Sequence, residues 1–213
     1  MEKIRISHKY EHFNKAIYEM ISKDVRVLDI GCSVGTLGHK LIEEKQCEVS
    51  GIDIDANALK IARKRGFKVY NIDMNYVEEL PFYEKYFDVI IFGDVLEHLN
   101  KPENILLLSK KYLKDYGFIV VSLPNIAFIQ VRLSLLFGKF EYKEKGILDK
   151  THLRFYTLKT AKRLIENCGY NIVEIEPWSP VKKRYFLIPL LIKAFPTLFA
   201  IQFVIKTEKV REI

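Results

Sequence analysis

Along the chain, short runs of apolar and β-branched residues alternate with stretches in which apolar side chains return every three or four positions. The runs RVLDI (26–30), EVSGIDI (48–54), KVYNI (68–72), FDVIIF (87–92) and FIVVSL (118–123) are bounded by Gly, Pro, Asn or Asp, as strands buried on both faces should be. Helical spacing fills the gaps at 37–45, 56–64 and 102–113. A βαβαβ rhythm of this length predicts a doubly wound parallel sheet.

Outside that rhythm, residues 10–22 place Phe13, Ile17 and Met20/Ile21 on one face, predicting an amphipathic helix over the edge of the sheet. Residues 157–168 read as a capped helix ended by Gly169, with a strand at 171–176, and 199–206 (FAIQFVIK) as another strand. Residues 185–205 are apolar and long enough for a membrane span and follow Lys182, Lys183 and Arg184. Pro189, Pro196 and the central Lys193 argue against a span. A short helix to Ala194, a break at Pro196 and a final antiparallel strand are expected instead. An interfacial helix over 182–196 would add a peripheral membrane contact.

Composition bounds the picture. The 213 residues, 49% of them hydrophobic, suit one substantial core, and no repeat or linker divides 1–213 into two domains. Cys32, Cys47 and Cys168 form an odd set without a C-x-x-C pair, and the opening MEKIRISHKYEHF lacks an apolar export signal, so a cytoplasmic location is expected. The net charge of +7 divides into −3 over 1–100 and +10 over 101–213. Such a field draws a phosphorylated small molecule, RNA or an anionic membrane, or is simply a solvated basic surface. His8, His12, His39, His98 and His152 show no ligand spacing beyond the His8/His12 pair, so no metal site is expected.

The loop DIGCSVGTLG (29–38) carries the chemistry. It contains G-x-S-x-G, which would make Ser33 a hydrolase nucleophile with His98 or His152 downstream. A nucleophile elbow follows several strands, however, and this loop follows the first. It also approaches a dinucleotide-binding turn, because Asp53 ends the second strand 22 positions after Gly31, where a ribose hydroxyl needs an acceptor. The spacing is nevertheless not G-x-G-x-x-G.

Taken together, VLDIGCSVG (27–35), GIDIDANAL (51–59), NIDMN (71–75) and FDVIIFGDVLEHLNKPENIL (87–106) resemble four ordered motifs of the class I S-adenosylmethionine (SAM)-dependent methyltransferases, over nearly the whole chain. FGKFEYKEKGILDKTHLRFYT (137–157) is similar to a segment of bacterial methyltransferases associated with glycosyltransferases and polysaccharide synthesis. The resemblance implies a Rossmann-like seven-stranded sheet, mostly parallel with the last strand antiparallel, and an insert at about 125–156 covering the site. It implies SAM as cofactor, held at Asp29, Gly31, Cys32, Ser33 and Gly35, with Asp53 on the ribose and Ile54 against the adenine face. Asp73 and Met74 would meet the adenine edge, and Gly93 and Asp94 the methionine moiety. Ser33 departs from the pattern, standing where the first motif usually has Gly, and a Ser tolerates positive φ poorly.

His98 or His152 would take a proton from an acceptor hydroxyl, and Arg154 would bind a phosphate or carboxylate, unless His152, Asp149 and Arg154 only pin the insert. The expected activity is methyl transfer to an oxygen of a small metabolite, a sugar-containing or lipid-linked envelope precursor. The alternatives are an RNA methyltransferase, prompted by the basic second half, and a SAM-binding scaffold without turnover. FGDVLEH is not an N-P-P-Y motif of enzymes that methylate exocyclic amines, and no RNA-binding module is appended, which sets nucleic acid below a small molecule. The intact DKTHLRF set speaks against a scaffold.

Overall fold

Apolar residues on both sides of each central strand force a three-layer solution, because each face needs its own cover. The computed structural model describes residues 13–179 and 187–210. In chain order the elements are α1 (Lys15–Met20), β1 (Arg26–Ile30), α2 (Thr36–Lys45), β2 (Glu48–Asp53), α3 (Ala56–Lys64), β3 (Lys68–Asn71), β4 (Phe87–Gly93), a 3₁₀ turn (Leu96–His98), α4 (Pro102–Tyr112) and β5 (Leu113–Pro124). They continue with α5 (Ile129–Leu136), α6 (Leu158–Asn167), β6 (Tyr170–Trp178), α7 (Leu187–Ala194), α8 (Pro196–Phe199) and β7 (Gln202–Lys209).

The strands form one seven-stranded sheet in the order β3-β2-β1-β4-β5-β7-β6. Pairs from β3 to β5 are parallel, and β7 runs antiparallel to both β5 and β6. The expected fold is thus observed, including the antiparallel last strand. The strand order reverses beside β1, which opens a crevice at the carboxyl ends of β1 and β4.

Side chains alternate across the sheet. Leu28, Ile30, Ile90, Phe92, Ile119 and Val121 face α4 and α6, where Ile105, Leu106, Leu164 and Ile165 complete one core. Val27, Val89, Ile91, Val120 and Val204 face the other way, toward Leu41 of α2, Leu59 and Ala62 of α3, and Ile17 of α1. Helix α1 therefore lies over the central strands and not over an edge as expected. Its apolar pair Ala16 and Ile17, with Ile21, is buried there, and the Asn14 side chain caps it by accepting from Ala16 N and Ile17 N.

Two boundaries moved for identifiable reasons. Strand β5 begins at Leu113 because that residue already pairs with Phe87 beyond an irregularity in β4. Strand β7 begins at Gln202, later than the apolar pattern suggests, because Pro196 starts a helical turn that takes up residues through Phe199. Among the described residues no helix is long and apolar enough to cross a membrane. Lys182, Lys183 and Arg184 lie outside the described residues, while Leu190, Leu191 and Phe195 after them are exposed.

Candidate active site

The first part of the site is local. Register places Ile30 beside Ile52, and the Gly31 and Cys32 N–H groups both donate to the Ile52 carbonyl, at 2.8 and 3.1 Å. The chain then turns through positive φ at Gly31 (+76°), Ser33 (+50°) and Gly35 (+74°). A Cβ on Gly31 would lie 2.2 Å from Val95 Cγ2, and one on Gly35 would lie 2.2 Å from the Phe67 ring. Both glycines are therefore required by conformation and by space.

Ser33 takes the left-handed conformation, which costs a non-glycine residue roughly 1–2 kcal/mol. Its N–H donates to Asp53 Oδ2 at 2.7 Å, and a hydrogen bond to a charged group contributes about 1.5–3 kcal/mol, enough to offset that strain. Asp53 Oδ1 accepts from Asp55 N at 2.8 Å, so one carboxylate at the end of β2 shapes both the loop and the start of α3.

This turn lines a recess of about 190 Å³ with Asp29, Gly31, Cys32 and Ser33 on one wall and Gly93 and Asp94 on the other. Gly35, the N-cap of α2, makes no side-chain cap, and Thr36 and Leu37 of the first turn line the recess. Burial, and then the charge of Asp53, push the Asp29 carboxyl up to about 7. Asp94 sits at φ +56°, with its N–H donating to Ser122 Oγ and its Oδ1 accepting from Ser122 Oγ at 2.9 Å and from Gln202 Nε2. Gln202 in turn accepts from Asn14 Nδ2 at 2.7 Å. Although solvent reaches Asp94 through the recess, the surrounding protein pushes its carboxyl up, with the Ser122 and Gln202 hydrogen bonds opposing.

Other expected cofactor residues stand back from this recess. Ile54 is 66% exposed at the carboxyl edge of β2, an open apolar surface beside Asp53. Asp73 caps a turn by accepting from Asn75 N at 2.8 Å, and Met74 packs partly buried against the core.

The second part of the site is assembled from distant segments. After α5 the insert folds back, and the Leu153 and Arg154 N–H groups both donate to the Glu97 carbonyl, at 2.9 and 3.1 Å. This seats His152 against His98, with ring centroids 4.8 Å apart. A recess of about 380 Å³ opens here, lined by His98, His152, Glu97 and Asp149 with the apolar surfaces of Trp178 and Ile201. It shares Phe13, Asn14 and Asp94 with the first recess. The insert contributes Gly146, Ile147, Asp149 and His152 to the lining of this recess.

Arg154 is placed differently from the expected substrate contact. Its guanidinium donates to the carbonyls of Leu99 (3.4 Å) and Asn100, and it lines neither recess. Its position is that of a pin, because a planar donor fork in reach of two carbonyls is held by them.

Glu97, His98 and His152 bring one donor atom each to within 4.8 Å of one another, a cluster invisible to local spacing because His152 arrives with the insert. His8 and His12 lie outside the described residues. The Glu97 side chain is 1% exposed, neither of its oxygens has a hydrogen-bond partner among the described residues, and burial first, then Asp94, push its carboxyl well up. Burial and then His98 push the His152 imidazole down. Sequence reading passed over Glu97, although it adjoins His98, and missed Asn14, Ser122, Trp178 and Gln202, which no local motif marks.

A methyltransferase domain model matches residues 5–175 of the chain. The ubiquinone biosynthesis O-methyltransferase of Burkholderia pseudomallei (strain 1710b) is 27% identical over 171 residues, covering 76% of this chain and 72% of that one. A mitochondrial ubiquinone biosynthesis O-methyltransferase of Candida albicans is 29% identical over 120 residues, 53% of this chain but only 36% of that longer protein. A crystal structure of a SAM-dependent methyltransferase from Archaeoglobus fulgidus superposes with a TM-score of 0.66 at 22% identity, covering 92% of this chain and 90% of that one. The chain belongs to the methyltransferase domain family, in the class I fold of the SAM-dependent enzymes.

Proposed function

We propose that the chain is a SAM-dependent methyltransferase acting on a hydroxyl oxygen of a small, ring-bearing molecule. The observation that carries this reading is the junction of two unlike recesses at Asp94: a glycine cradle on one side and a pair of imidazoles on the other. The cradle fits an amino-acid-bearing nucleoside. The positive-φ turn through Gly31, Ser33 and Gly35 brings main chain to the wall of the recess, and the start of α2, where Thr36 and Leu37 line it, suits a carboxylate. Asp29 or Asp94 suits the ammonium, Asp53 the ribose hydroxyls, Ile54 the adenine face, and Asp73 and Met74 its edge. SAM supplies an electrophilic methyl group on a sulfonium when bound.

The protein's own work is orientation, because holding an acceptor in line is the largest part of such catalysis. Trp178 and Ile201 offer an apolar platform for a ring, while His98 and His152 face its hydroxyls. The relatives in quinone synthesis support a small-molecule oxygen acceptor. The D-x-T-H-x-R-F resemblance favours a sugar-containing or lipid-linked envelope precursor, to which the exposed Leu190 and Leu191 of α7 and Phe195 just after it would bring the enzyme by peripheral membrane contact.

Transfer of labelled methyl from SAM into host-extract fractions (soluble metabolites, lipids, RNA and protein) tests this, with Asp53→Ala as control. Label in the soluble or lipid fraction, absent with the control, is expected. Label confined to RNA or protein overturns the acceptor class. No label from a protein shown to bind SAM overturns turnover itself.

A further inference from the structure

Glu97, His98 and His152 form a cluster that orientation alone does not explain. Each imidazole has one nitrogen committed. His98 Nδ1 lies 3.1 Å from the Thr151 carbonyl and 3.2 Å from Thr151 Oγ1, whose own proton goes to Asp149 Oδ1 at 2.7 Å. His152 Nδ1 lies 3.1 Å from the Ile147 carbonyl. A carbonyl only accepts, so Nδ1 donates in both rings, and Nε2 is the nitrogen left to offer a lone pair to an ion. Metal-ligating histidines are held this way, the outer N–H on a carbonyl and the inner nitrogen toward the ion.

Glu97 supplies the negative charge that imidazole ligands lack. Its carboxyl is buried with no hydrogen-bond partner among the described residues, and the nearest imidazole nitrogen, His152 Nε2, is 4.0 Å away, too far for a hydrogen bond. Burying such a group unpaired is costly, and a cation between it and the two rings removes the cost. The neighbouring acids are otherwise engaged, Asp94 with Ser122 and Gln202 and Asp149 with Thr151. Ligand bonds of about 2.0–2.2 Å set donors roughly 3–3.5 Å apart, so donors within 4.8 Å close on an ion by about an ångström each.

We propose that Glu97, His98 and His152 hold a divalent first-row transition-metal ion whose open coordination positions face the second recess. Two imidazoles with one carboxylate suit zinc, iron, manganese or cobalt, whereas magnesium prefers a set made of oxygens. Metal binding stands independently of the acceptor; its use rests on the methyl-transfer reading. There the ion binds the acceptor hydroxyl, lowers its pKa and releases its proton to water, leaving an anionic oxygen in the recess beside Asp94.

The test titrates the purified full chain with Co²⁺ alone, followed by visible absorption and heat, and repeats it with Mg²⁺ as competitor. One Co²⁺ per chain is expected, resistant to equimolar Mg²⁺, with affinity reduced at least about tenfold in His98→Ala, His152→Ala and Glu97→Gln. Absence of Co²⁺ binding, or binding that survives all three substitutions, overturns the site. Near-ultraviolet circular dichroism identifies a variant that fails to fold, and the half-exposed His98→Ala then decides. SAM titrated into the same samples separates the two readings. Cofactor binding without Co²⁺ binding removes the metal alone, and Co²⁺ binding without cofactor binding removes methyl transfer and leaves the metal.

Discussion

The loop after β1 and the insert after β5 build two halves of one site by opposite means. The loop is contiguous: ten residues, three of them at positive φ, hold their shape through hydrogen bonds to the end of β2 and within the loop itself. The insert gains its place only by reaching across the chain to the Glu97, Leu99 and Asn100 carbonyls. Backbone conformation defines the cofactor half, and long-range docking defines the acceptor half. A substitution in the loop should therefore act on folding and cofactor binding together, whereas one in the insert should act on acceptor binding and leave cofactor binding unchanged.

The largest effect is expected for Gly31→Ala. The new Cβ combines a left-handed backbone with a clash against Val95, and the two together destabilise by about 2–5 kcal/mol in urea unfolding. Adding Val95→Ala should return the packing part and leave the backbone part. Full rescue by Val95→Ala would show that conformation does not define this half.

Asp29→Asn comes next and acts through pH. The folded carboxyl titrates near 7 and the unfolded one near 3.8, so the native state binds the extra proton between those values. Stability of the wild-type protein should then fall as pH rises from about 4 to 7, by at most roughly 4 kcal/mol, and level off above. The Asn variant should lack that part of the slope, and an unchanged profile would reject the buried-carboxyl account.

For the insert, Arg154→Ala is expected to cost about 1–2 kcal/mol and to raise KM for the acceptor while leaving SAM affinity unchanged. Equal loss of both affinities would mean the two halves are coupled. Ser33→Gly should have the smallest effect, a gain of about 1 kcal/mol or less in thermal unfolding, because glycine removes the strain while the backbone bond to Asp53 stays. Destabilisation would show that the Ser33 side chain does more than fill the turn.

What could be read from sequence followed the same division. Strands β1, β2 and β4 are marked by short runs rich in apolar and β-branched residues, and the loop by glycines whose positive φ no other residue adopts cheaply. Arg154 could not be assigned, since substrate contact and pin use the same donors, and only the position of the Leu99 and Asn100 carbonyls separates them. Helix α1 was legible as amphipathic, yet the strands under its apolar face depended on the sheet order.

The sequence by itself determined the doubly wound sheet, the glycine turn and the acid ending β2, because these follow from local periodicity and from conformations restricted to few residue types. Only the tertiary structure joined Asn14, Gln202 and Asp94 into one chain of hydrogen bonds and set His152 beside Glu97. Such contacts lie between segments remote in sequence, where packing geometry fixes the partner and no local pattern records it.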